Sequence, residues 1–316
     1  MNKDERPVMV TIRCITYNHE RYIRQCLDGF VMQKTNYRYE IVIHDDASTD
    51  RTADIIREYV NKYPELFIPI FEEENQYNNW DFVVEQINAN IHGKYVALCE
   101  GDDYWTDPLK LQKQVEFLEK NPNTSMVYTS FKTVDESNKE IRRPRYDSYI
   151  KRSYSGNLLP ELFYSNFILT LTTMIRREVF FSDLYRNSPQ KYDYTIFLAS
   201  SFMGDGYFIP EVTGCYRKCG GSAITSHYKE VEKDLYENYC YFVELFLNNG
   251  SVVRCNMIES IRIYRNMMVN IFYHNDFRML ILLIKKNIFA SALMPESFVF
   301  SLLKKLKWKT YGSIDR

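Results

Sequence analysis

Short apolar runs alternating with amphipathic stretches of helical length constrain this chain more than any other feature. The runs are Val8 to Ile15, Ile41 to Ile43, Leu66 to Phe71, Tyr95 to Cys99 and Met126 to Thr129. Between them apolar residues recur at helical spacing: Tyr22, Ile23, Cys26, Leu27, Phe30 and Val31, then Ile55, Ile56, Tyr59, Val60 and Tyr63, and later Leu111, Val115 and Leu118. A strand followed by an amphipathic helix returns to its sheet by a right-handed crossover, so the pattern predicts an α/β fold with a mostly parallel sheet flanked by helices. Punctuation agrees. Asn18-His19-Glu20 opens the first helix, Pro64 stops the second, and a third runs from about Trp80 to Asn90 before Gly93. Thr106-Asp107-Pro108 then places Asp107 at an N-cap and Pro108 in the first turn.

Beyond residue 130 the rhythm loosens. Residues 132 to 160 are polar and read as a long substrate-side loop, Leu169 to Ile175 as strand-like, and Asp193 to Met203 as a helix. Tyr207 to Ile209 and Val212 to Lys218 read as two short strands around Pro210. From 228 the pattern is helical, near 228–247, 254–273, 276–289 and 297–308, divided by Asn248-Asn249-Gly250 and Pro295. The expected division is therefore an α/β domain over 1–226 and an α-helical C-terminal extension over 227–316.

Composition narrows the function classes. The chain is 45% hydrophobic and 26% charged, the balance of a globular protein, and its formal net charge of -1 gives no reason to expect a nucleic-acid partner. That charge is unevenly spread: residues 277–316 carry eight Lys or Arg against two acids, leaving about -7 on the remainder. Seven Cys are scattered without zinc-like spacing, so reduced thiols and a cytoplasmic setting are expected. The charged start Met1-Asn2-Lys3-Asp4-Glu5-Arg6 lacks a signal-peptide core, and the longest clean apolar run, Met279 to Ile284, is far short of the roughly 20 residues a membrane span needs.

Two acidic pairs carry the chemistry. Asp45-Asp46 follows the second apolar run, and Glu100-Gly101-Asp102-Asp103 follows the fourth. Adjacent carboxylates repel and raise one another's pKa, so a fold keeps them ionised where a divalent cation or strong donors share the charge. Strand C-terminal ends are also where open α/β sheets bind ligands. Helix capping explains a single Asp at such a place equally well; two pairs in the same context favour a site.

In their order, these segments resemble glycosyltransferase family 2, the GT-A class that uses nucleotide-sugar donors. The resemblance covers residues 7 to 225 and rests on Thr16-Tyr17-Asn18, Asp45-Asp46-Ala47-Ser48-Thr49-Asp50, Glu100-Gly101-Asp102-Asp103, Tyr192-Asp193-Tyr194 and Tyr216-Arg217. It implies a GT-A, Rossmann-like sheet, with a nucleotide half over about 7–130 and an acceptor half over 131–226. It implies that Asp45 accepts the N3 proton of a uracil-like base, that Thr16, Tyr17 and Asn18 line the base and ribose pocket, and that Asp102 faces the ribose. Asp103 would hold Mn²⁺ or Mg²⁺, with Glu100 at the first place of the family's Asp-x-Asp motif. Asp193 takes the place of the catalytic base of an inverting transfer; by position alone it also reads as a helix N-cap. The family often has a His shortly after Tyr-Arg that helps hold the metal or the diphosphate, where this chain has Cys219; His227 lies nearby as a substitute metal ligand or as plain surface. Arg217 and Lys218 read as diphosphate ligands or as solvated strand-edge charges.

The implied activity is transfer from a nucleotide-sugar, UDP-sugar by the resemblance at Asp45, to a glycan or lipid-linked acceptor in surface polysaccharide synthesis. A basic terminal segment, Ser297 to Lys309, suits a peripheral contact with the cytoplasmic membrane face or a helix docked with its Lys in water. A sugar nucleotidyltransferase would need a Gly-rich, Arg-containing phosphate loop where Ile15-Thr16-Tyr17-Asn18 stands. A phospho-accepting receiver domain is much shorter than this chain. A non-catalytic nucleotide-sugar-binding relative would lack Asp103 or Asp193.

Overall fold

The computed structural model describes residues 5–219, 228–248, 257–276, 278–279 and 282. The chain divides into two compact units at Leu158/Leu159, Asn166/Phe167 and Leu235/Tyr236. The first unit holds an eight-stranded sheet in the order β3-β2-β1-β4-β7-β6-β8-β5, with β1 Val10–Thr16, β2 Tyr39–Asp45, β3 Phe67–Phe71, β4 Tyr95–Leu98, β5 Tyr104–Trp105, β6 Thr124–Val134, β7 Met174–Arg176 and β8 Asp205–Arg217. Strands β1 to β4 are mutually parallel, as the alternating pattern requires. The other half is mixed: β7 runs antiparallel to both β4 and β6, β6 pairs parallel with β8, and β5 closes the edge antiparallel to β8.

Three elements beyond residue 130 differ from the sequence expectation, each for a local reason. The segment from Leu169 starts as a 3₁₀ turn, Thr170–Thr172, because the Thr172 and Thr173 hydroxyls donate to the carbonyls of Leu169 and Thr170 at 2.7 and 2.9 Å. Only Met174–Arg176 remains as strand. Around Pro210 there are not two strands but one: β8 is continuous over 13 residues, and its pairing with β6 slips from Thr129↔Ile209 to Ser130↔Val212. Pro210, without an N–H to give, and Glu211 are the residues bulged out. The expected loop at 132–160 contains the end of β6 and a helix, Pro144–Arg152. Its Tyr146 stacks edge-on against Phe131 and Tyr149 and packs on Tyr216, an aromatic spacing hidden among charges.

Helices α1 Ile23–Val31, α2 Thr52–Lys62 and α4 Lys110–Lys120 cover one face of the sheet, and α3 Trp80–Ala89 precedes β4. That face is the apolar core: Ile12, Cys14, Ile41, Ile43, Ala97 and Cys99 meet Leu27, Phe30, Ile56, Leu111 and Val115. α1 begins at Ile23, later than its opening residues suggest, because Asn18 takes a left-handed turn at φ 54°. α4 has Leu109 at its N-cap; Asp107 instead closes the turn before it, accepting from the Leu109 N–H and the Lys113 ammonium. The alternate residues of β1 and β2, Thr11, Arg13, Glu40 and His44, are buried polar groups on the opposite face. Thr11 donates to Glu40 at 2.7 Å, and the His44 ring meets Glu72 at 3.1 Å.

The second unit packs Leu159, Leu162 and Phe163 with Phe242, Phe246, Ile263, Met267 and Ile271 of the helices Tyr228–Asn248 and Met257–Tyr273. Arg262 pairs with Glu161, and the Asn266 amide donates to the Pro160 carbonyl. No helix among the described residues is long and apolar enough to cross a membrane. The segment Ser297 to Lys309 and His227 lie outside the described residues, as do the helices expected near 276–289 and 297–308 apart from 276, 278–279 and 282.

Candidate active site

The parallel register of β1 and β2 sets Thr16 beside Asp45, so the two strands end together. Asn18 then stitches their loops: its N–H donates to the Ser48 hydroxyl at 2.9 Å, and its side-chain oxygen accepts from the Thr49 N–H at 2.8 Å. Asp45 is 2% exposed and accepts from the Ser48 N–H and hydroxyl. Burial pushes its carboxyl pKa up, and those two bonds pull it back. Tyr17, next along the chain from Thr16, is exposed. Thr16, Tyr17, Asn18 and Asp45 thus gather at one strand edge. Asp46, the other half of that acidic pair, turns away. It accepts from the Asn75 amide at 2.8 Å and the Gln76 N–H at 2.7 Å, fastening the loop after β3.

The second acidic turn packs on the end of β1 because Gly101 allows it. A Cβ there would fall 2.6 Å from the Thr16 hydroxyl and 2.9 Å from His19 Nδ1. Asp103, 2% exposed, accepts the Arg217 N–H at 2.7 Å. The Arg217 side chain is equally buried and committed to protein acceptors: the Asp102 carbonyl at 2.8 Å, Gln25 at 2.7 Å and the Asp135 carbonyl at 3.2 Å, between the rings of Tyr22 and Tyr104. Arg217 therefore clamps the acidic turn to the end of β8. Lys218 follows it, partly buried, its N–H on the Val134 carbonyl.

The electrostatics of this turn are those of a site short of positive charge. Burial, aided by Asp102, raises the Asp103 carboxyl well above its ordinary value. Burial likewise pushes Glu100 up to about 8, with the charges of Asp102 and Asp193 adding and that of Arg13 opposing. Among the described residues no three His, Cys, Asp or Glu side chains converge as a ready-made metal cage. Carboxylates in this condition fit an ion bound by one or two side chains and completed by substrate phosphates and water.

Asp193 is the first residue of the helix Asp193–Met203, whose N-cap is Tyr192. Its carboxylate accepts the Tyr194 N–H at 2.6 Å, so it serves the helix end, and burial raises its pKa while Arg13 lowers it. The Tyr192 hydroxyl donates to Asp234 at 2.9 Å. Sequence reasoning passed over Arg13; the signal available was a lone Arg inside the otherwise apolar or small Val10-Thr11-Ile12-Arg13-Cys14-Ile15.

A buried carboxylate at one strand end, an acidic turn packed on the neighbouring strand, and a mixed sheet of this strand order are those of a GT-A fold. The family model for glycosyl transferase family 2 matches residues 11–184, and the chain belongs to that family. An uncharacterized protein of Mycobacterium tuberculosis is 35% identical over 225 residues, which cover 71% of this chain and 63% of the relative; the chain thus spans less than two thirds of the length of that relative. The putative teichuronic acid biosynthesis glycosyltransferase TuaG of Bacillus subtilis is 26% identical over 233 residues, 71% of this chain and 85% of TuaG. Among solved structures, residues 1–349 of S. aureus TarS in complex with UDP align with a TM-score of 0.58 at 16% identity, over 84% of this chain and 72% of that one.

Proposed function

We propose that this chain transfers a sugar from a UDP-sugar to a hydroxyl of a glycan or lipid-linked acceptor, with inversion at the anomeric carbon, in the assembly of a surface polysaccharide. The observation that carries this reading is the packing of Gly101 on Thr16, which sets the Asp102-Asp103 turn against the strand ends that carry Thr16 and Asp45. The UDP complex of TarS and the role named for TuaG support the donor and the setting.

Asp45 accepts the N3 proton of the base, Thr16, Tyr17 and Asn18 enclose base and ribose, and Asp102 bonds the ribose. Asp103, with Glu100, would hold a divalent ion, and Arg217 keeps that turn in position through the Asp103 carboxylate. When bound, such an ion stabilises the negative charge that develops on the departing diphosphate. Lys218 is the cation assigned to the diphosphate, and His227, outside the described residues, is a further candidate ligand of the ion. Asp193 accepts the proton of the attacking hydroxyl, a role that typically contributes about a hundredfold to ten-thousandfold in rate. Attack from the side opposite the diphosphate inverts the configuration.

Calorimetric titration of UDP with and without Mn²⁺, on the intact chain and on Asp103→Ala, tests the donor site. Binding that tightens with Mn²⁺, and loses that gain in the variant, is expected. Equal binding of GDP and dTDP would refute the uridine preference, and a metal gain surviving in Asp103→Ala would refute the assignment of Asp103.

A further inference from the structure

Residues 139–152 carry six Lys or Arg against Glu140 and Asp147, a net of +4 in a chain of net -1, which leaves -5 on the rest. This segment is built onto the end of β8. Val134 bridges Glu140, the Ile141 N–H donates to the Thr133 carbonyl at 2.9 Å, and Tyr146 packs on Tyr216 with ring centres 5.0 Å apart. The Val134 carbonyl also accepts the Lys218 N–H at 2.8 Å, and the Asp135 carbonyl accepts from Arg217, whose own N–H holds Asp103. The basic segment therefore borders the acidic turn.

The acids of the hairpin are already engaged. Glu140 takes the Lys132 ammonium at 2.8 Å, Glu136 takes Arg21 at 3.3 Å, and Asp135 spends one carboxylate oxygen on Ser137 and the Lys139 N–H. Arg145 is tied to the Tyr149 hydroxyl at 2.8 Å, and the Arg152 guanidinium lies over the Phe167 ring. Lys139, Arg142 and Arg143 are left over. All three are exposed, and none makes an ion pair among the described residues, with Asp147 or any other acid.

Three like charges within five residues repel one another, and an anion that bridges them relieves that repulsion. Guanidinium groups meet phosphate and carboxylate oxygens in paired hydrogen bonds, which favours those groups over neutral hydroxyls. No large apolar side chain is exposed between residues 135 and 152. A bilayer would find no apolar wedge here, whereas a polyanion in water needs none.

We propose that the acceptor is a glycan bearing phosphate or carboxylate groups along its chain, held on Lys139, Arg142 and Arg143 with its end toward the acidic turn. This deepens the transferase reading and rests on it.

The probes are dextran phosphate, carboxymethyl dextran and neutral dextran of equal length, each carrying a fluorophore and titrated by anisotropy. They are offered to the intact wild-type chain, to Lys139→Gln/Arg142→Gln/Arg143→Gln, and to a control, Lys34→Gln/Lys62→Gln/Lys120→Gln, which removes the same charge from exposed positions elsewhere. Wild type is expected to bind both charged dextrans, more weakly as salt rises, and neutral dextran at least about tenfold more weakly. The patch variant should lose about tenfold for the charged dextrans and the control less than about twofold, with melting temperatures within about 2 °C of wild type in both. UDP affinity with Mn²⁺, measured on the same proteins, should stay within about twofold. Charged dextrans that bind the patch variant as they bind wild type, while UDP binds normally, overturn this inference alone. Equal losses in the control reduce the effect to net charge and overturn it, as does neutral dextran binding as tightly as the charged forms. Phosphatidylglycerol vesicles that bind wild type and not the patch variant, with neither charged dextran bound, assign the surface to a membrane and also overturn it. Failure of wild type to bind UDP overturns the transferase reading and the acceptor role with it, whatever the dextrans do.

Discussion

Lys110 should make the stability of this protein climb with pH in a way one substitution removes. Its side chain is fully buried, with the ammonium 2.6 Å from the Gln114 oxygen and 4.6 Å from the Trp105 ring centre, and it makes no ion pair among the described residues. Burial lowers its pKa to about 7, against the partial opposition of Cys99 and Asp107. The unfolded chain titrates near 10.5, so between about pH 7 and 10.5 the unfolded state binds the extra proton and stability rises with pH, at about 1.4 kcal/mol per unit. Below pH 7 both states are protonated and the full penalty stands. Lys110→Met keeps the apolar stem and leaves the Gln114 amide on the carbonyls of Thr172 and Val127. The test is urea unfolding of both proteins at pH 6, 7, 8 and 9, read as the difference between them so that other titrating groups cancel. Wild type should gain about 2.5 kcal/mol on the variant between pH 6 and pH 9. A difference that stays flat across that range would refute the reasoning, and would mean that Lys110 remains charged in the folded protein.

Gly101→Ala should cost about 1–3 kcal/mol in urea unfolding and weaken UDP binding in calorimetry, since the new methyl group meets the Thr16 side chain. Asp45→Asn and Asp46→Asn should separate cleanly: the first weakens UDP binding by about ten- to a hundredfold, on the order of one charged hydrogen bond. The second leaves UDP affinity near wild type and lowers the melting temperature by loosening Asn75 and Gln76, so equal losses of affinity in both would contradict the division of that pair. Arg217→Met should destabilise the fold by about 3–5 kcal/mol in denaturant, as removal of one partner of a buried polar network does, whereas Lys218→Ala should melt like wild type and weaken UDP binding alone.

The four parallel strands and the helices between them were legible because each is a local pattern: Ile41 to Ile43 and Tyr95 to Cys99 are short, apolar and bounded, and Leu111, Val115 and Leu118 share one helix face. What escaped depends on partners distant in sequence. Pro210 looks like a strand end until β6 is seen to tolerate a bulge there. Asp45 and Asp46 look alike until Asn75 and Gln76 claim one of them. Arg217 reads as a diphosphate ligand or a solvated cation until the Asp102 carbonyl, Gln25 and the Asp135 carbonyl are seen to take its donors. The helix at Pro144–Arg152 was hidden because its inward face is two tyrosines among three basic residues, too narrow a stripe to register as amphipathic.

The bond from the Arg217 N–H to Asp103 spans 114 positions of chain. A ribosome will have released the β1, β2 and β4 ends, with every residue assigned to base and ribose, long before β8 exists to brace the acidic turn. The nucleotide half is therefore not a separable module: cut after residue 130, it keeps its side chains and loses the strand that holds Asp103 in place. Joining that piece to an acceptor half from another member of the family should succeed only where the donor of the second half brings its own equivalent of the β8 end.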